Sequence, residues 1–390
     1  MTRDDETGSN GGSSPPPDIM VHVFGRTDVG RTREHNEDAF VVCDLTADNA
    51  TLQPEVRTHK LGERGTLFMV ADGMGGAAAG EIASAMAVEV ILGDLRHRWI
   101  GAPKKGSDAF AAALKDATEA ANARIHQYAA EHPEHRGMGT TATIAGMLND
   151  KLYVAQVGDS RAYLIRDGLA RQITKDQSLI QKLVEAGELT PEEAEQSERR
   201  NIILQALGPE AHIKVDLTVQ QIRTGDLIVL CSDGLSGQIK TEDISRIANE
   251  EPDLVALCRK LIDLANANGG PDNITVVAAR FDGAGLTQAK SEDHVGHRSF
   301  RLSGEVRPTM PMTSAETDPL SERTTAETAA AVVSSMDDTP TAPVPVVKTV
   351  EVTARPMSVP TPRDPTRMYM AIAAATLVVI ALVAWTYWRC

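Results

Sequence analysis

The sequence predicts an α+β fold in which strands and helices pack in layers, and three observations support this prediction. Short, apolar, β-rich runs follow one another between residues 19 and 283, as in a meander. Helical patterns occur in blocks between groups of strands, rather than after every strand as in a doubly wound sheet. With 390 residues, of which 42% are hydrophobic, the chain is long enough to bury a substantial core.

Nine segments have the strand pattern and three have apolar residues at helical spacing. The predicted strands are 20–26, 38–44, 66–71, 140–148, 151–157, 161–166, 213–219, 226–232 and 274–281. The predicted helices are 80–98, 107–131 and 252–267. Ser107 is the expected N-cap of the second helix, and Pro133 is expected to close it.

The segments on either side of residues 19–283 differ in composition. Residues 1–18 are polar, lack the apolar centre of a secretory signal, and are expected to form a disordered lead. Residues 284–367 are rich in Pro, Thr and Ser. Within them, 301–366 contains no aromatic residue and ten of the chain's 20 prolines. Such a stretch cannot bury enough apolar surface to offset its ordering entropy, so a disordered linker is predicted over 284–367.

The C-terminal segment has the composition of a transmembrane helix. Met368–Trp388 contains 21 residues without a charged side chain, enough for a helix to cross a hydrocarbon layer of roughly 30 Å. Tyr369 at one end and Trp385 and Trp388 at the other resemble an aromatic belt. Basic residues are concentrated before the span. The sequence therefore predicts a single-pass protein of the cytoplasmic (inner) membrane, with residues 1–367 in the cytoplasm.

Charge and cysteine content exclude other classes of protein. The net charge of −15 argues against a nucleic-acid partner, because phosphate backbones are bound by clustered Lys and Arg. The four cysteines show neither CxxC spacing nor a zinc-binding pattern. We therefore expect free thiols in a reducing compartment and no disulfide framework.

Acidic residues recur at the ends of the predicted strands. They are Glu37–Asp38, Asp72, Asp159, Asp233 and Asp272. A single Asp-Gly after a strand is ordinarily a turn, but so many acidic ends are better explained by a shared site. Converging carboxylates repel one another, and a hard divalent cation with oxygen ligands relieves that repulsion. Since no His/Cys cluster competes, the sequence predicts Mg²⁺ or Mn²⁺ rather than zinc.

Six short motifs occur in order within residues 19–283. They are Arg33-Glu34-His35-Asn36-Glu37-Asp38, Asp72-Gly73-Met74-Gly75-Gly76, Gly139-Thr140-Thr141, Gly158-Asp159-Ser160-Arg161, Ser232-Asp233-Gly234 and Gly270-Pro271-Asp272-Asn273. This series resembles that of the metal-dependent protein phosphatases of type 2C (the PPM family), in its bacterial form. The resemblance covers about two-thirds of the chain and implies two packed antiparallel β-sheets flanked by helices.

The resemblance also implies a role for each acidic position. Asp72 would bridge two metal ions, with the Gly73 carbonyl completing the coordination of one of them. Asp233 and Asp272 would hold the first ion. Glu37 would bind the second ion.

Three further roles follow from the resemblance. Asp38 would hydrogen-bond a metal-bound water, and Asp159 would form a weaker third metal site together with Asp233. Arg33 would bind the phosphate of the substrate, because a planar guanidinium matches phosphate oxygens. The alternative for Arg33 is a salt bridge to Glu37 or Asp38.

The activity implied is hydrolysis of phosphoserine and phosphothreonine in proteins by direct attack of a metal-bridging water. The expected partners are phosphoproteins, among them Ser/Thr kinases and their targets, and the membrane through the C-terminal helix. The alternative is a catalytically inactive membrane scaffold that binds phosphoproteins. Such a scaffold is expected to have lost at least one acidic ligand, and every acidic position is filled.

Several positions near these motifs receive separate interpretations. Met74 stands where eukaryotic members commonly have a His proposed as general acid, and Met cannot donate a proton. His35 is a weak alternative donor. Thr140 and Thr141 are expected to hydrogen-bond the backbone or metal ligands, and Arg161 to form a structural salt bridge.

The polar, helical segment 175–208 resembles the flap of bacterial members. It is either a substrate-docking element or an ordinary surface insertion. Within it, Thr190-Pro191-Glu192-Glu193 has the pattern of a helix start, with Thr190 as N-cap.

Overall fold

Two antiparallel sheets and the helices that cover them make up the fold. The computed structural model describes residues 18–303, apart from 77–78, 104–105, 196, 198 and 200. Its strands are β1 (Met20–Asp28), β2 (Asp38–Asp44), β3 (Asn49–Thr51), β4 (Arg57–Lys60), β5 (Thr66–Met74), β6 (Gly139–Thr140), β7 (Ala142–Leu148), β8 (Lys151–Val157), β9 (Arg161–Arg166), β10 (Leu169–Gln172), β11 (Asp216–Gln221), β12 (Leu227–Cys231) and β13 (Ile274–Asp282). Its α-helices are α1 (Ala79–Leu95), α2 (Ser107–Glu131), α3 (Leu179–Glu185), α4 (Pro191–Glu195), α5 (Asp233–Ser236), α6 (Thr241–Glu250) and α7 (Leu254–Ala267).

The strands form two separate sheets. The first sheet has the order β10-β9-β12-β13-β1-β4, and the second has the order β11-β8-β7-β5-β2-β3, with β6 paired to β5. All the strand pairings are antiparallel. Alternate side chains of a strand face opposite sides of its sheet. Thus Phe40 and Val42 of β2 pack between the sheets, whereas Val41 and Cys43 pack toward α1 and α2.

Three apolar layers hold the sheets and helices together. Between the sheets, Phe68 of β5 meets Phe281 of β13 edge to face, with ring centroids 6.2 Å apart. Helices α1 and α2 cover the outer face of the second sheet, and α6 and α7 cover that of the first. The predicted α+β fold with two packed antiparallel sheets and flanking helices is confirmed for this part of the chain.

The strongest periodic segments were predicted with their observed bounds, namely β2, β8, β9 and α2. Other boundaries differ. The predicted strand 140–148 is interrupted at Thr141, where the backbone N–H turns to the carbonyl of Asp72 at 2.9 Å. The predicted helix 80–98 ends at Leu95, and a π-helical turn, Arg96–Ile100, follows it. The N-cap of α2 is Gly106, so Ser107 is its first helical residue rather than its cap.

Residues 284–303, predicted to belong to a disordered linker, pack against the domain, and we call them the strap. Strap residues 298–300 run along the edge strand β11, where the N–H of Phe300 donates to the carbonyl of Leu217 at 2.7 Å. The Phe300 ring meets Tyr153 edge to face at 5.3 Å. The prediction was wrong here because a few well-placed apolar anchors suffice to order a polar segment.

The structure does not test the predictions made for the two ends of the chain. Residues 1–17, the linker from 304 onward and the membrane helix Met368–Trp388 lie outside the described residues. No helix within the described residues is long and apolar enough to cross a membrane. Cys43 and Cys231 are buried as their apolar runs predict, and Cys258 is buried as well.

Candidate metal centre and active site

The acidic residues singled out in the sequence lie at one end of the two sheets. Asp38, at the start of β2, is directly opposite Asp72 near the end of β5. Asp233 follows β12 and Asp272 precedes β13, and these two strands are antiparallel neighbours. Asp159 lies in the turn between β8 and β9. Antiparallel pairing therefore brings together strand ends that are up to about 240 residues apart in sequence.

Glu37 is fixed through its backbone and by the close approach of a helix. Its N–H donates to the side-chain oxygen of Asn273 at 2.8 Å, and its carbonyl accepts from the hydroxyl of Ser84 at 2.6 Å. A Cβ atom at Gly80 would lie 2.3 Å from the Glu37 Oε2 atom. The same Cβ atom would lie 2.9 Å from the backbone carbonyl carbon of Gly73, so glycine at this position lets the first turn of α1 approach both the carboxylate and β5 closely.

Asp233 is held close to the segment that carries Asp272. A Cβ atom at Gly234 would lie 2.0 Å from the carbonyl oxygen of Asn273, so a larger residue would push the two segments apart. The Asp272 carboxylate is itself oriented, because its Oδ1 atom accepts from the N–H of Asn273 at 2.8 Å.

The backbone around Asp72 is held by the two threonines of the GTT motif. The Asp72 N–H donates to Thr141 Oγ1 at 3.0 Å, and the Thr140 hydroxyl donates to the Asp72 carbonyl at 2.9 Å. Thr140 also pairs with Gly73 in the β5–β6 ladder. The expected hydrogen bonding of both threonines to the backbone is confirmed.

Burial and mutual repulsion disfavour full ionisation of these carboxylates. Burial, with a smaller contribution from the charge of the nearby Asp233, raises the pKa of Asp38 and of Asp159 to about 7. Burial also raises the pKa of Asp72 well above its usual range, with Asp38 and Asp233 as the largest charge contributions. The pKa of Glu37 is raised mainly by burial. Without a compensating cation, the site is an unfavourable place for so many negative charges.

The donor chemistry fits a hard divalent cation. Asp38 Oδ1 and Asp159 Oδ1 are buried oxygens with no hydrogen-bond partner. Carboxylate oxygens are the ligands that Mg²⁺ and Mn²⁺ prefer. Within the described residues, however, no three His, Cys, Asp or Glu side chains form an assembled metal-binding group. The carboxylates share one end of the sheets, but some are turned toward protein partners, as Asp272 is toward Arg33.

Arg33 forms its ion pair with a different carboxylate from the two considered in the sequence. Its Nη2 atom lies 2.8 Å from Asp272 Oδ2, and its side chain is 49% exposed. Neither Glu37 nor Asp38 is its hydrogen-bonded partner. The guanidinium thus lies at the rim of the acidic end, where it is accessible from solvent.

A groove of about 790 Å³ leads away from the acidic end. Its inner end is lined by Arg33, Asp159, Asp233 and Asp272. One wall comes from the predicted flap and the other from the segment around α5 and α6. The apolar and polar side chains that line these walls include Ile180, Gln181, Val184, Ala194, Asn201, Ser236, Gln238 and Ile239.

The flap is joined to the turn that carries Asp159. The N–H of Gly158 donates to the side-chain oxygen of Gln177 at 2.9 Å, and the Gln177 N–H donates to the Gly158 carbonyl at 2.9 Å. Arg161 makes a partly buried, bidentate ion pair with Asp176, with a shortest contact of 2.7 Å. The predicted structural salt bridge of Arg161 is confirmed.

Helix α4 begins as its sequence predicts. The Glu193 N–H donates to Thr190 Oγ1 at 3.2 Å, and the Thr190 N–H donates to Glu193 Oε2 at 2.8 Å. This reciprocal pair is a capping box, which satisfies two N–H groups that a helix start leaves without intrahelical partners.

The histidines near the motifs have no catalytic arrangement. His35 is exposed, and its carbonyl accepts from the side chain of Asn273 at 2.9 Å. His132 and His135 stack on the ring of Tyr128 at the end of α2, with centroids 4.0 and 5.8 Å away.

Four polar residues that position the acidic side chains received no role from the sequence, although two of them lie within its motifs. They are Ser84, Ser232, Asn273 and Thr275. Ser232 and Thr275 donate to the carboxylate of Asp38, and Asn273 and Ser84 hold the backbone of Glu37. The available signal was position: Ser232 precedes Asp233, and Asn273 and Thr275 follow Asp272 closely. Ser84 lies within a helix and carried no comparable signal.

Comparisons with known proteins agree with this geometry. The family model described as Protein phosphatase 2C matches residues 47–276. The serine/threonine phosphatase stp of Listeria monocytogenes is 37% identical over 268 residues, covering 69% of this chain and 98% of that protein. The serine/threonine protein phosphatase PstP of Mycobacterium tuberculosis is 37% identical over 262 residues, covering 67% of this chain and 45% of PstP.

Solved structures give the same relationship. The crystal structure of the Mycobacterium tuberculosis phosphatase PstP/Ppp covers 69% of this chain and is itself fully covered, with 35% identity and a TM-score of 0.56. The structure of the PstP catalytic domain in complex with two manganese ions matches 68% of this chain and 99% of the PstP chain. The identity is 35% and the TM-score is 0.55. The sequence match, the fold and the acidic strand ends agree, and the chain belongs to the protein phosphatase 2C family.

Proposed function

We propose that this chain hydrolyses phosphoserine and phosphothreonine in proteins, with Mn²⁺ or Mg²⁺ as cofactor. The observation that carries the proposal is the set of buried and partly buried carboxylates at one end of the two sheets of a protein phosphatase 2C fold. Their raised pKa values and unpartnered oxygens are suited to divalent cations.

Two cations would be held by the acidic residues in the following way. Asp72 would bind both ions. The first ion would also be held by Asp233, Asp272 and the carbonyl of Gly73. Glu37 would bind the second ion. Asp159, together with Asp233, would hold a third ion more weakly. When bound, the ions would lower the pKa of a coordinated water and stabilise charge on the phosphoryl oxygens.

The chain's own residues would bind the phosphoryl group and orient the water. The guanidinium of Arg33 would bind phosphoryl oxygens at the rim, where it is half-exposed beside Asp272. The free Oδ1 atom of Asp38 would accept a hydrogen bond from the attacking water. As the new bond from water to phosphorus forms, the bond to the serine or threonine oxygen breaks. Met74 cannot protonate that oxygen, so the proton would come from solvent.

The groove would hold the polypeptide on either side of the phosphorylated residue. It begins at Arg33 and the acidic end and continues between the flap and the α5–α6 segment. The lining combines apolar side chains such as Ile180 and Val184 with polar and charged ones such as Gln181, Lys240 and Glu242, and this mixture suits an extended peptide. We therefore favour the docking interpretation of the flap.

We also propose that the C-terminal segment anchors the enzyme in the cytoplasmic membrane. The support is compositional, namely the uncharged residues 368–388 and the excess of basic residues before them. Anchoring would concentrate the phosphatase near membrane-bound Ser/Thr kinases and their substrates.

Metal dependence separates the enzyme from the inactive scaffold. We expect the purified chain to release phosphate from a phosphothreonine peptide with Mn²⁺ or Mg²⁺ and to be inactive in EDTA. Asp233→Ala should abolish hydrolysis, whereas Asp243→Ala, which changes a partly exposed aspartate of α6 paired with Arg246, should not. Binding of the peptide without hydrolysis under every metal condition would favour the scaffold, and equal activity in EDTA would exclude the proposed site.

A further inference from the structure

The two carboxylate oxygens of Asp38 have different surroundings. Oδ2 accepts from the hydroxyl of Thr275 at 2.6 Å and from the hydroxyl of Ser232 at 2.8 Å. Oδ1 is buried and has no hydrogen-bond partner among the described residues. One oxygen is therefore fully engaged by the protein, and the other is left to act as an acceptor.

The hydroxyl of Thr275 belongs to a longer chain of hydrogen bonds. Its oxygen lies 2.7 Å from the hydroxyl oxygen of Thr27, which in turn accepts from the side-chain amide of Asn36 at 2.8 Å. A hydroxyl has one proton to donate. The Thr275 hydroxyl therefore has two acceptors within reach, Asp38 Oδ2 at 2.6 Å and Thr27 Oγ1 at 2.7 Å, and the contact to Asp38 is the shorter of the two.

Both ends of this chain are tied to the backbone beside it. The side-chain oxygen of Asn36 accepts from the N–H of Asp38 at 3.1 Å, and Ser232 Oγ accepts from the N–H of Thr275 at 3.0 Å. Thr27 and Thr275 are paired in the β1–β13 ladder. Strand register therefore holds the Thr275 hydroxyl in place beside Asp38.

We propose that Thr275 and Ser232 are positioning residues that hold Asp38 Oδ2, so that Oδ1 is presented to the attacking water. Neither hydroxyl would touch the substrate, and both would act through Asp38. This inference rests on the proposed phosphatase activity and on the proposed contact between Asp38 and water. Thr275 and Ser232 would thus contribute to the reaction without binding a metal ion themselves.

The alternative is that Thr275 only stabilises the strand. The two possibilities differ in what the loss of the hydroxyl changes. A lost strand contact would lower the melting temperature and leave kcat unchanged. Loss of positioning would lower kcat and leave the affinity for Mn²⁺ and the KM for substrate near their wild-type values, because no metal or phosphate contact is removed.

The test is Thr275→Val in the full-length protein, since valine keeps the shape and removes the hydroxyl. We expect kcat on a phosphothreonine peptide to fall by about 10- to 100-fold, the range for losing a hydrogen bond to a charged group. The KM and the Mn²⁺ dissociation constant from calorimetry should change less than about twofold, and Thr275→Ser should restore kcat. The matched control is Thr218→Val in β11, which removes a buried hydroxyl that has no hydrogen-bond partner in the described structure.

A double variant tests whether the effect passes through Asp38. In an Asp38→Ala background, Thr275→Val should cost no further activity. Unchanged kcat in Thr275→Val, or an equal loss in both backgrounds, would overturn the inference. If the valine variant does not fold, Ser232→Ala must give the same split between kcat and KM. Absence of hydrolysis by the wild-type protein would instead refute the proposed function.

Discussion

At the residue scale, the acidic side chains of the site are held by uncharged neighbours rather than by cations. Arg33 is the exception, and it contacts only Asp272 among the proposed ligands. Asp38 is held by hydroxyls, and Asp72 and Glu37 are fixed through their backbones. The negative charge is therefore left without an equal positive charge inside the protein. This arrangement makes protons and divalent cations compete for the same carboxylates.

This competition predicts an unusual pH dependence for the stability of the metal-free protein. The pKa values of Asp38 and Asp159 are raised to about 7 in the folded state, against about 3.9 for an unfolded aspartate. Between these values the folded state binds more protons than the unfolded state. The free energy of unfolding should therefore fall as pH rises from about 4 to about 7. We expect a lower melting temperature in EDTA at about pH 7.5 than at about pH 5.

Mn²⁺ should reverse this trend, because it takes the place of the protons on the ionised carboxylates. The gain in melting temperature on adding Mn²⁺ should be larger at the higher pH. Differential scanning calorimetry with and without Mn²⁺ measures both effects, and Asp159→Asn should reduce the slope in EDTA. A metal-free protein whose melting temperature rises over the same pH range would contradict the prediction.

Residue types at strand ends indicated the acidic positions, but not the contacts that hold them. An Asp after an apolar run can be recognised in a sequence because the run and the turn are local. The hydrogen bond that the Glu37 N–H donates to the Asn273 side chain joins residues 236 apart in the chain. It depends on the order and register of the strands. Asp272 was likewise predicted as a ligand, whereas its partner Arg33 was assigned to phosphate or to other carboxylates. Long-range partners of this kind cannot be inferred from spacing alone.

At the scale of elements, predictability followed the strength of the periodic pattern. Helix α2 and strands β2, β8 and β9 are long or strongly apolar, and their bounds were predicted. Strands β3, β4 and β10 have only three or four residues, alternate weakly and were missed. The strap was missed for a related reason, since its apolar anchors Leu286, Val295, Phe300 and Leu302 are few and irregularly spaced among polar residues.

The strap should contribute to the stability of the domain. Phe300 packs against Tyr153, and Arg223 makes a bidentate ion pair with Asp293 at 2.8 Å. Truncating a fully buried Phe costs about 3–5 kcal/mol, and Phe300 is only partly buried. We expect Phe300→Ala to lower the free energy of unfolding by about 2 kcal/mol in urea denaturation. The value of kcat should remain near wild type, because β11 lies at the edge of the second sheet.

Val56→Ala is the matched control for this variant, because Val56 is a large apolar residue that is 59% exposed. Its effect should be within about 0.5 kcal/mol. If Phe300→Ala were no more destabilising than Val56→Ala, the strap would be a surface segment without a stabilising role.

At the scale of the whole molecule, the site depends on the packing of both sheets. Glu37, Asp38 and Asp72 belong to the second sheet or its entry, whereas Asp233 and Asp272 flank strands of the first. The apolar layer between the sheets therefore sets the distance between the two groups of ligands. The overall fold class and this common end were predictable from the order of strands and motifs. The closeness of the groups was not, because it follows from side-chain packing between β5, β13 and their neighbours.

The whole chain is also expected to combine a soluble catalytic unit with a membrane anchor, and the two should be separable. A helix over residues 368–388 would be about 32 Å long at 1.5 Å per residue, which matches a bilayer core. Val378→Asp would place a charge near its centre, at a cost of about 2.5–3.5 kcal/mol for insertion. We expect this variant, and deletion of residues 368–390, to move the protein from the membrane fraction to the soluble fraction. The conservative variant Val378→Leu should remain in the membrane fraction.

Hydrolysis of a soluble phosphothreonine peptide should be unchanged in all three proteins, because the groove and the acidic end lie within residues 33–272. Dephosphorylation of a membrane-bound kinase reconstituted in vesicles should fall in the two released proteins. The reason is that anchoring raises the local concentration of enzyme near substrate, without adding any contact to the active site. If Val378→Asp and Val378→Leu were found in the same fraction, residues 368–388 would not be the membrane anchor. Unequal rates on the soluble peptide would show that the C-terminal segment acts on the catalytic unit itself.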